Sequence, residues 1–409
     1  MKKRIRYIIV GIIVMLLAGF VYAWSVMAKS IGASRPTWTV TQLSLTFTLV
    51  MAFFCIGGLI AGFLGKRFTP RSYVIASAVL FLAGFLLAGM AGESIILLYL
   101  GFGVLCGLAA GIVYNAVMSV LSAWFPDVQG LISGVMMMGF GISSFIIGKV
   151  FAAVTPSDGS NGWVLTFRYM AVILFVVLLL CSFFLKRPSE DYQAPAGTKK
   201  KMTKEPAMEV GPGEMMRMPL FWFYYLWAVL AGAAGLAVVS QGGGIAAEVG
   251  ATLSDGTIAT TVGLLSLFNG IGRVIFGTVF DKKGCRFTMV LDMLLFFAAL
   301  FILLLAMAIN SFALVVVGFI FCGLAYGGTT PLSSAIMSDF FGRKHYSKNF
   351  SVVTTTLMIA SFSSTIAGRF YDLTNSYRMT VYLALGLAVA AFAISFAVKR
   401  PVGSSKGEA

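Results

Sequence analysis

The sequence predicts an all-α membrane protein with twelve transmembrane helices in two six-helix pseudo-symmetric halves. Three observations predict it. The first is composition: 409 residues, 59% hydrophobic, only 11% charged, with a mean hydropathy of +0.94. A soluble domain carries about 25% charged residues, so most of this surface does not face water. The second is length. A spanning helix takes about 20 apolar residues, and twelve with short loops consume most of the chain. The third is an internal repeat, developed below.

The expected spans lie near 7–28, 40–64, 72–91, 95–124, 128–153, 163–185, 220–247, 257–280, 287–308, 311–339, 350–370 and 377–398. The first follows a basic N-terminus, Met1 to Arg6. A signal peptide also starts this way, but this apolar run is too long and lacks a small-residue cleavage site before a polar domain. It reads as a retained helix. The tenth span contains Pro331 and several glycines, which predict a kink. Residues 187–219 differ from all of these. They carry Pro, Gly, Lys and Glu and few long apolar residues. They divide the chain into an N-terminal half (1–186), a cytoplasmic linker (187–219) and a C-terminal half (220–409).

The charges give the orientation. Of 30 basic residues, 23 fall on the segments that share a side with the N-terminus, including Lys2, Arg6, Lys66, Arg71, Lys186, Lys282 and Lys399. This is the positive-inside bias. It predicts that both termini and the linker are cytoplasmic. It also accounts for the net charge of +15 without nucleic acid; an anionic lipid surface suits these loops better.

The catalytic classes lose their usual signals. Five cysteines (Cys55, Cys106, Cys181, Cys285, Cys322) show no CxxC spacing, and the single histidine, His345, lies in a basic loop. Such cysteines read as small buried hydrophobes. No HExxH, GxSxG or Walker motif occurs. The expectation is therefore no enzyme, no metal and no cofactor.

Three matches recur at nearly one offset. Gly62–Arg71 (GFLGKRFTPR) aligns with Gly277–Arg286 (GTVFDKKGCR), 215 residues on. Gly107-Leu-Ala-Ala-Gly111 aligns with Gly323-Leu-Ala-Tyr-Gly327, 216 on. Lys186-Arg-Pro188 aligns with Lys399-Arg-Pro401, 213 on. Parallel repeats related by an axis along the membrane normal are a transporter architecture, with the substrate between the halves.

At these residues the chain resembles the major facilitator superfamily. That family's loop between the second and third helices of each half reads G-x-x-x-D-[RK]-x-G-x-[RK]. The second copy is complete, with Gly277, Asp281, Lys282, Gly284 and Arg286. The first departs, with Lys66 in place of the acid and Thr69 in place of the glycine. The resemblance implies a gating role for Asp281 and Arg286, and for Lys66 and Arg71 in the altered copy. An acid at a helix end can hold a neighbouring helix in one state. Within the superfamily the chain is similar to the oxalate/formate antiporter and monocarboxylate transporter branch. The residues that carry this are Tyr22-Ala-Trp24, Gly111-Ile-Val-Tyr-Asn115, Trp124-Phe-Pro126, Asn269-Gly-Ile-Gly-Arg273, Ser338-Asp-Phe-Phe-Gly342, Tyr346-Ser347 and Asn349.

Arg273 is the sharpest feature. It lies eight residues before Asp281, hence about 12 Å inside the helix end. An arginine at such depth is costly unless paired or hydrated and is a functional candidate by default. A structural pair, or snorkelling to the interface, is the other reading. A guanidinium binds a carboxylate through two parallel hydrogen bonds, and the family resemblance implies an anion-binding arginine here. Asn269 lies one turn away on the same face. It is placed either to orient the arginine or to bond between helices. The resemblance also implies that helices 1, 4, 7 and 10 line the cavity, which brings in Tyr22, Tyr114, Asn115 and Tyr326. Packing and interfacial belts are the ordinary alternative for tyrosine.

Some antiporters of this branch carry a lysine in helix 11. By alignment that position falls near Leu357, and no basic residue precedes Arg369 in the helix. One central cation fits a monoanion better than a dianion. Asp292 reads as a hydrated structural acid near the interface, and Lys149 and Arg369 as snorkelling charges near outer helix ends. The expected function is a secondary active transporter of small, lactate- or pyruvate-like monocarboxylates, proton-coupled and working by alternating access. An oxalate/formate-type anion exchanger is the alternative. A channel, an intramembrane enzyme and a sensor each lack a supporting feature. The resemblance to bacterial members implies the cytoplasmic (inner) membrane and a monomer.

Overall fold

The computed structural model describes residues 2–64, 67–125, 129–155, 160–189, 192, 206–342 and 344–401. Among the described residues twelve helices are long and apolar enough to cross a membrane. They are α1 (Arg4–Ser34), α2 (Val40–Leu64), α3 (Pro70–Ala88), α4 (Ile95–Trp124), α5 (Gly134–Val154), α6 (Gly162–Ser182), α7 (Pro219–Val249), α8 (Asp255–Lys283), α9 (Cys285–Ala308), α10 (Phe312–Phe340), α11 (Lys348–Thr374) and α12 (Arg378–Ser395). Each coincides with an expected span. The largest difference is at α1, which runs to Ser34 because its last turns are buried: Ser30 Oγ donates to the Thr155 carbonyl at 3.1 Å.

Local chemistry starts and stops these helices. At α2 the Gln42 side chain accepts from the Thr39 N–H at 2.9 Å, and the Gln42 N–H donates to Thr39 Oγ1 at 3.2 Å. This reciprocal pair is a capping box. Thr69 caps α3 ahead of Pro70 at the first helical position, and Ser254 caps α8. Gly284 alone separates α8 from α9, with φ +81. That conformation costs a side-chain-bearing residue energy and costs glycine none, so the motif glycine follows from the backbone.

Three helices are irregular. A 3₁₀ stretch, Gly19–Ala23, interrupts α1, and a π-helical stretch, Tyr99–Cys106, opens α4. The α11 helix breaks at Thr355 and Ser361. There the hydroxyls donate back to the Val352 and Met358 carbonyls, at 2.6 and 2.7 Å, in competition with the backbone ladder. By contrast α10 runs as one helix through Pro331. The proline costs it one bond, the donor owed to the Gly327 carbonyl.

The repeated glycines do the same work twice. Gly107 seats against the Val50 carbonyl and Gly111 against the Phe54 carbonyl, bringing α4 onto α2. Gly323 seats against the Leu265 carbonyl and Gly327 against the Asn269 carbonyl, bringing α10 onto α8. Each pair packs the fourth helix of a six-helix group on its second. Between the groups, α5 lies along α8, α2 along α11 and α1 against α7. The segment 206–219 shares one end of the bundle with the loops after α2, α8 and α10, where the Ala207 N–H donates to the Asp339 carbonyl. This is the linker end; the other is the far end.

A methyl group at Gly111 would overlap the Phe54 carbonyl, whereas one at Gly58 meets only ordinary contact at 3.9 Å. We therefore expect Gly111→Val to destabilise the purified protein by about 1–3 kcal/mol and Gly58→Ala to be tolerated. Thermal unfolding in detergent measures both. Equal loss in the two would rule out the close approach as the cause.

Candidate functional site

Arg273 lies ten residues before the last residue of α8, about 15 Å from the linker end along the helix. It is 7% exposed. Its Nε donates to Asn269 Oδ1 at 3.1 Å, and Nη1 donates to the Met137 carbonyl at 3.4 Å. Both partners are neutral. Asn269 orients the guanidinium, and the Met137 carbonyl of α5 comes from the opposite six-helix group. No carboxylate pairs with it among the described residues, so its charge is uncompensated.

Three of the expected tyrosines gather here. Tyr326 of α10 packs its ring against Gly235 of α7. Tyr326 and Tyr114 both lie within the electrostatic reach of Arg273. The Phe140 ring of α5 joins them, 5.6 Å from Tyr22 and 5.4 Å from Tyr114, with Phe54 at 5.8 Å. One wall is thus aromatic and comes from α1, α2, α4 and α5. The other carries the guanidinium, an amide and a tyrosine and comes from α8 and α10. Sequence reasoning missed Phe140, Phe54 and the Met137 carbonyl. In a chain with 36 phenylalanines no local signal separates Phe140 from the rest.

Asn115 does not join this group. Its Nδ2 donates to the Gly58 carbonyl at 3.1 Å, which ties α4 to α2. Of the expected gating residues, Lys66 lies outside the described residues. Arg71 sits over the Phe183 ring at 4.3 Å and Arg286 over Phe396 at 5.1 Å. Asp281 is exposed and makes no ion pair among the described residues. All five cysteines are buried and free.

The far end is sealed across the two groups. Lys29 of α1 pairs with Asp255 of α8 at 2.5 Å. Asp372 of α11 accepts from the Val40 and Thr41 N–H groups at 2.9 Å each and from the Thr41 hydroxyl. A carboxylate on the free N–H groups of a helix start is favoured by both hydrogen bonding and the helix dipole. Buried Gln241 donates to Ser44 Oγ at 2.7 Å and to the Ser364 carbonyl at 3.2 Å. Beside this seal is a cavity of about 230 Å³ lined by Trp24, Lys29, Trp38, Gln241 and Tyr377 among others, and by none of the sequence-predicted site residues.

One expectation is overturned. Asp292 is not a hydrated acid near the interface. It is fully buried, and neither carboxylate oxygen has a hydrogen-bond partner. A methyl group at Gly328 would come within 2.5 Å of its Oδ1 and 2.8 Å of the Phe276 ring. The helical phase of α9 turns it toward α10, whereas the sequence position alone indicated only its depth. Lys149 and Arg369 are exposed.

The sequence profile of the Major Facilitator Superfamily matches residues 6–365 and again 245–408. The chain belongs to the Major Facilitator Superfamily. It is a membrane transporter by fold and kinship, not an enzyme. It is 27% identical over 360 residues to the oxalate:formate antiporter of Oxalobacter formigenes, covering 85% of this chain and 80% of that protein. Monocarboxylate transporter 9 of Gallus gallus is 27% identical over 141 residues, which is 34% of this chain and 27% of that one. In fold it resembles a bacterial homologue of the human lysosomal transporter Spinster in an inward-facing conformation. The TM-score is 0.72 at 17% identity, covering 98% of each chain.

Replacing Asn269 with leucine leaves the Arg273 Nε without its acceptor in a buried site. For a hydrogen bond to a charged group this costs roughly 1.5–3 kcal/mol. We expect Asn269→Leu to lower the unfolding temperature of the ligand-free protein; an unchanged value would mean that water replaces the amide.

Proposed function

We propose that the chain is a secondary active transporter of small monocarboxylates, coupled to protons. It works by alternating access of residues 1–186 and 220–409 about the linker 187–219. The observation that carries this is Arg273, a buried cation whose hydrogen-bond partners are an amide and a carbonyl. A carboxylate supplies the missing charge and accepts two parallel bonds from the guanidinium. The Met137 carbonyl, at the limit of bonding distance, is the partner it displaces. Tyr22, Tyr114 and Tyr326 then offer hydroxyls and ring faces to a short organic acid. Because Met137 belongs to α5 and Arg273 to α8, binding exchanges a contact between the two groups for one with the substrate. That is the differential contact an alternating carrier needs.

The charge count selects among anions. The α11 position where some exchangers carry lysine falls near Leu357, which packs near Gly232. One cation suits one negative charge, so lactate, pyruvate or formate is favoured over oxalate. The exchanger reading keeps one specific support: the oxalate:formate antiporter relative matches across 85% of this chain, and monocarboxylate transporter 9 across 34%. Asp281 and Arg286, with Lys66 and Arg71, serve in this reading as the linker-end gate. It engages in the state opposite to one in which the far end is sealed. The carrier acts as a monomer in a bacterial cytoplasmic membrane, with both termini cytoplasmic, and its basic loops face anionic lipid, not nucleic acid.

Counterflow in proteoliposomes tests the substrate. Lactate and pyruvate should compete for uptake more strongly than oxalate; the reverse order would establish the exchanger reading. Arg273→Ala should abolish saturable uptake. Arg273→Lys keeps the charge but loses the fork, and losing one charged hydrogen bond raises the half-saturation concentration roughly tenfold or more. Full activity in the lysine variant would remove the bidentate contact.

A further inference from the structure

The carrier described above requires a proton site, and Arg273 and its tyrosines do not supply a carboxylate. We propose that Asp292 is that site: its carboxylate binds the coupling proton in a closed pocket between α9, α10 and α8. This rests on the transport reading and adds the residue that carries the proton.

The geometry is specific. Asp292 lies seven residues inside α9, about 10 Å from the linker end along the helix. It is 0% exposed and lacks a partner on both oxygens. A carboxylate so placed has neither a counter-charge nor a donor, which its ionised form requires and its neutral form does not. The space it occupies exists because residue 328 is glycine; a methyl group there would collide with Oδ1 at 2.5 Å. Phe276 of α8 closes the other side.

The charged and titratable groups on the elements packed against α9 have their own engagements or make no contact with Asp292. On α8, Arg273 is bound to Asn269 and Met137, and Asp281, Lys282 and Lys283 are exposed at the helix end. On α10, Tyr326 packs its ring against Gly235, Asp339 pairs with Arg400, and Cys322 is buried and free. On α12, Arg378 donates to the Met307 carbonyl at 2.8 Å, and Tyr382 is exposed. On α7, Tyr224 bonds to Ser333 at 2.6 Å. On α9 itself, Arg286 lies on Phe396 and the Cys285 thiol contacts Met289. None donates to Asp292.

Two adjacent residues link this pocket to the anion site. Gly327 of α10 abuts the Asn269 carbonyl and the Arg273 N–H, and Gly328 abuts Asp292 and Phe276. Four residues on, Pro331 has removed the donor of the Gly327 carbonyl, so α10 is weakened at this point. A shift of α10 against α8 therefore alters both contacts together. In the cycle, a hydronium ion gives its proton to one Asp292 oxygen and leaves as water. The neutral acid is closed in as α10 seats. On the other side the acid returns the proton to water and the carboxylate is restored.

The test uses full-length protein in proteoliposomes, with labelled lactate as the probe, in counterflow and under an imposed pH gradient. Asp292→Asn is neutral in all states. It should keep counterflow at the wild-type rate and lose pH-driven accumulation, so that lactate only equilibrates. Asp292→Glu should keep some of both. Accumulation by Asp292→Asn equal to wild type would overturn the proposal, and so would equal loss of counterflow and accumulation, which marks a structural residue. Wild-type protein that exchanges lactate without responding to pH would instead sink the coupled-transport reading. Infrared spectroscopy gives an answer independent of transport. Substrate-free wild type should show a protonated-carboxyl C=O stretch at neutral pH that Asp292→Asn lacks; identical spectra would overturn the assignment.

Discussion

A guanidinium in the interior of an apolar helix bundle is the constraint on which this structure turns. Burying Arg273 costs several kcal/mol unless its donors are met. The protein meets them with neutral groups, an amide one turn away and a carbonyl from α5. That choice satisfies the hydrogen bonds and leaves the charge unanswered. A carboxylate from the chain would have locked the site and spent its electrostatic attraction on the protein itself. The aromatic wall of Tyr22, Tyr114 and Phe140 lowers the local polarity, which strengthens attraction to any anion that enters.

Around this centre the helices are held by two kinds of contact. Within each six-helix group, glycines let backbones touch, as Gly111 does on α2 and Gly327 on α8. Such contacts depend on shape and change little as groups move as bodies. Between the groups at the far end polar contacts join them, Lys29 with Asp255, Asp372 on the start of α2, and Gln241 with Ser44 and Ser364, beside the close approach of Gly243 to the Ser25 carbonyl and of Gly368 to the Val40 carbonyl. The breaks in α11 at Thr355 and Ser361 lie on the helix that runs along α2.

Asp292 marks where one-dimensional reasoning failed. Its depth in α9 was legible, and depth alone suggested a hydrated acid. Its burial depends on the phase of α9 against α10 and on the absence of a side chain at Gly328, two facts separated by 36 residues of sequence. Asp372 is similar. A single acid near a helix end carries no local sign that it will cap the helix beginning at Val40, 332 residues away.

The sequence by itself determined the spans, because a bilayer demands runs of about 20 apolar residues and composition records them. It determined the repeat, because the same backbone approach needs glycine at the same place in α4 and α10. It also singled out Arg273, because a charge in an apolar run is conspicuous. Only the tertiary structure decided what meets that charge. It brought Tyr22, Tyr114, Tyr326 and Phe140 to it, turned Asn115 away to Gly58, and enclosed Asp292. The reason is that a helix's hydropathy is local, whereas the direction of each side chain's partner is set by how distant helices cross.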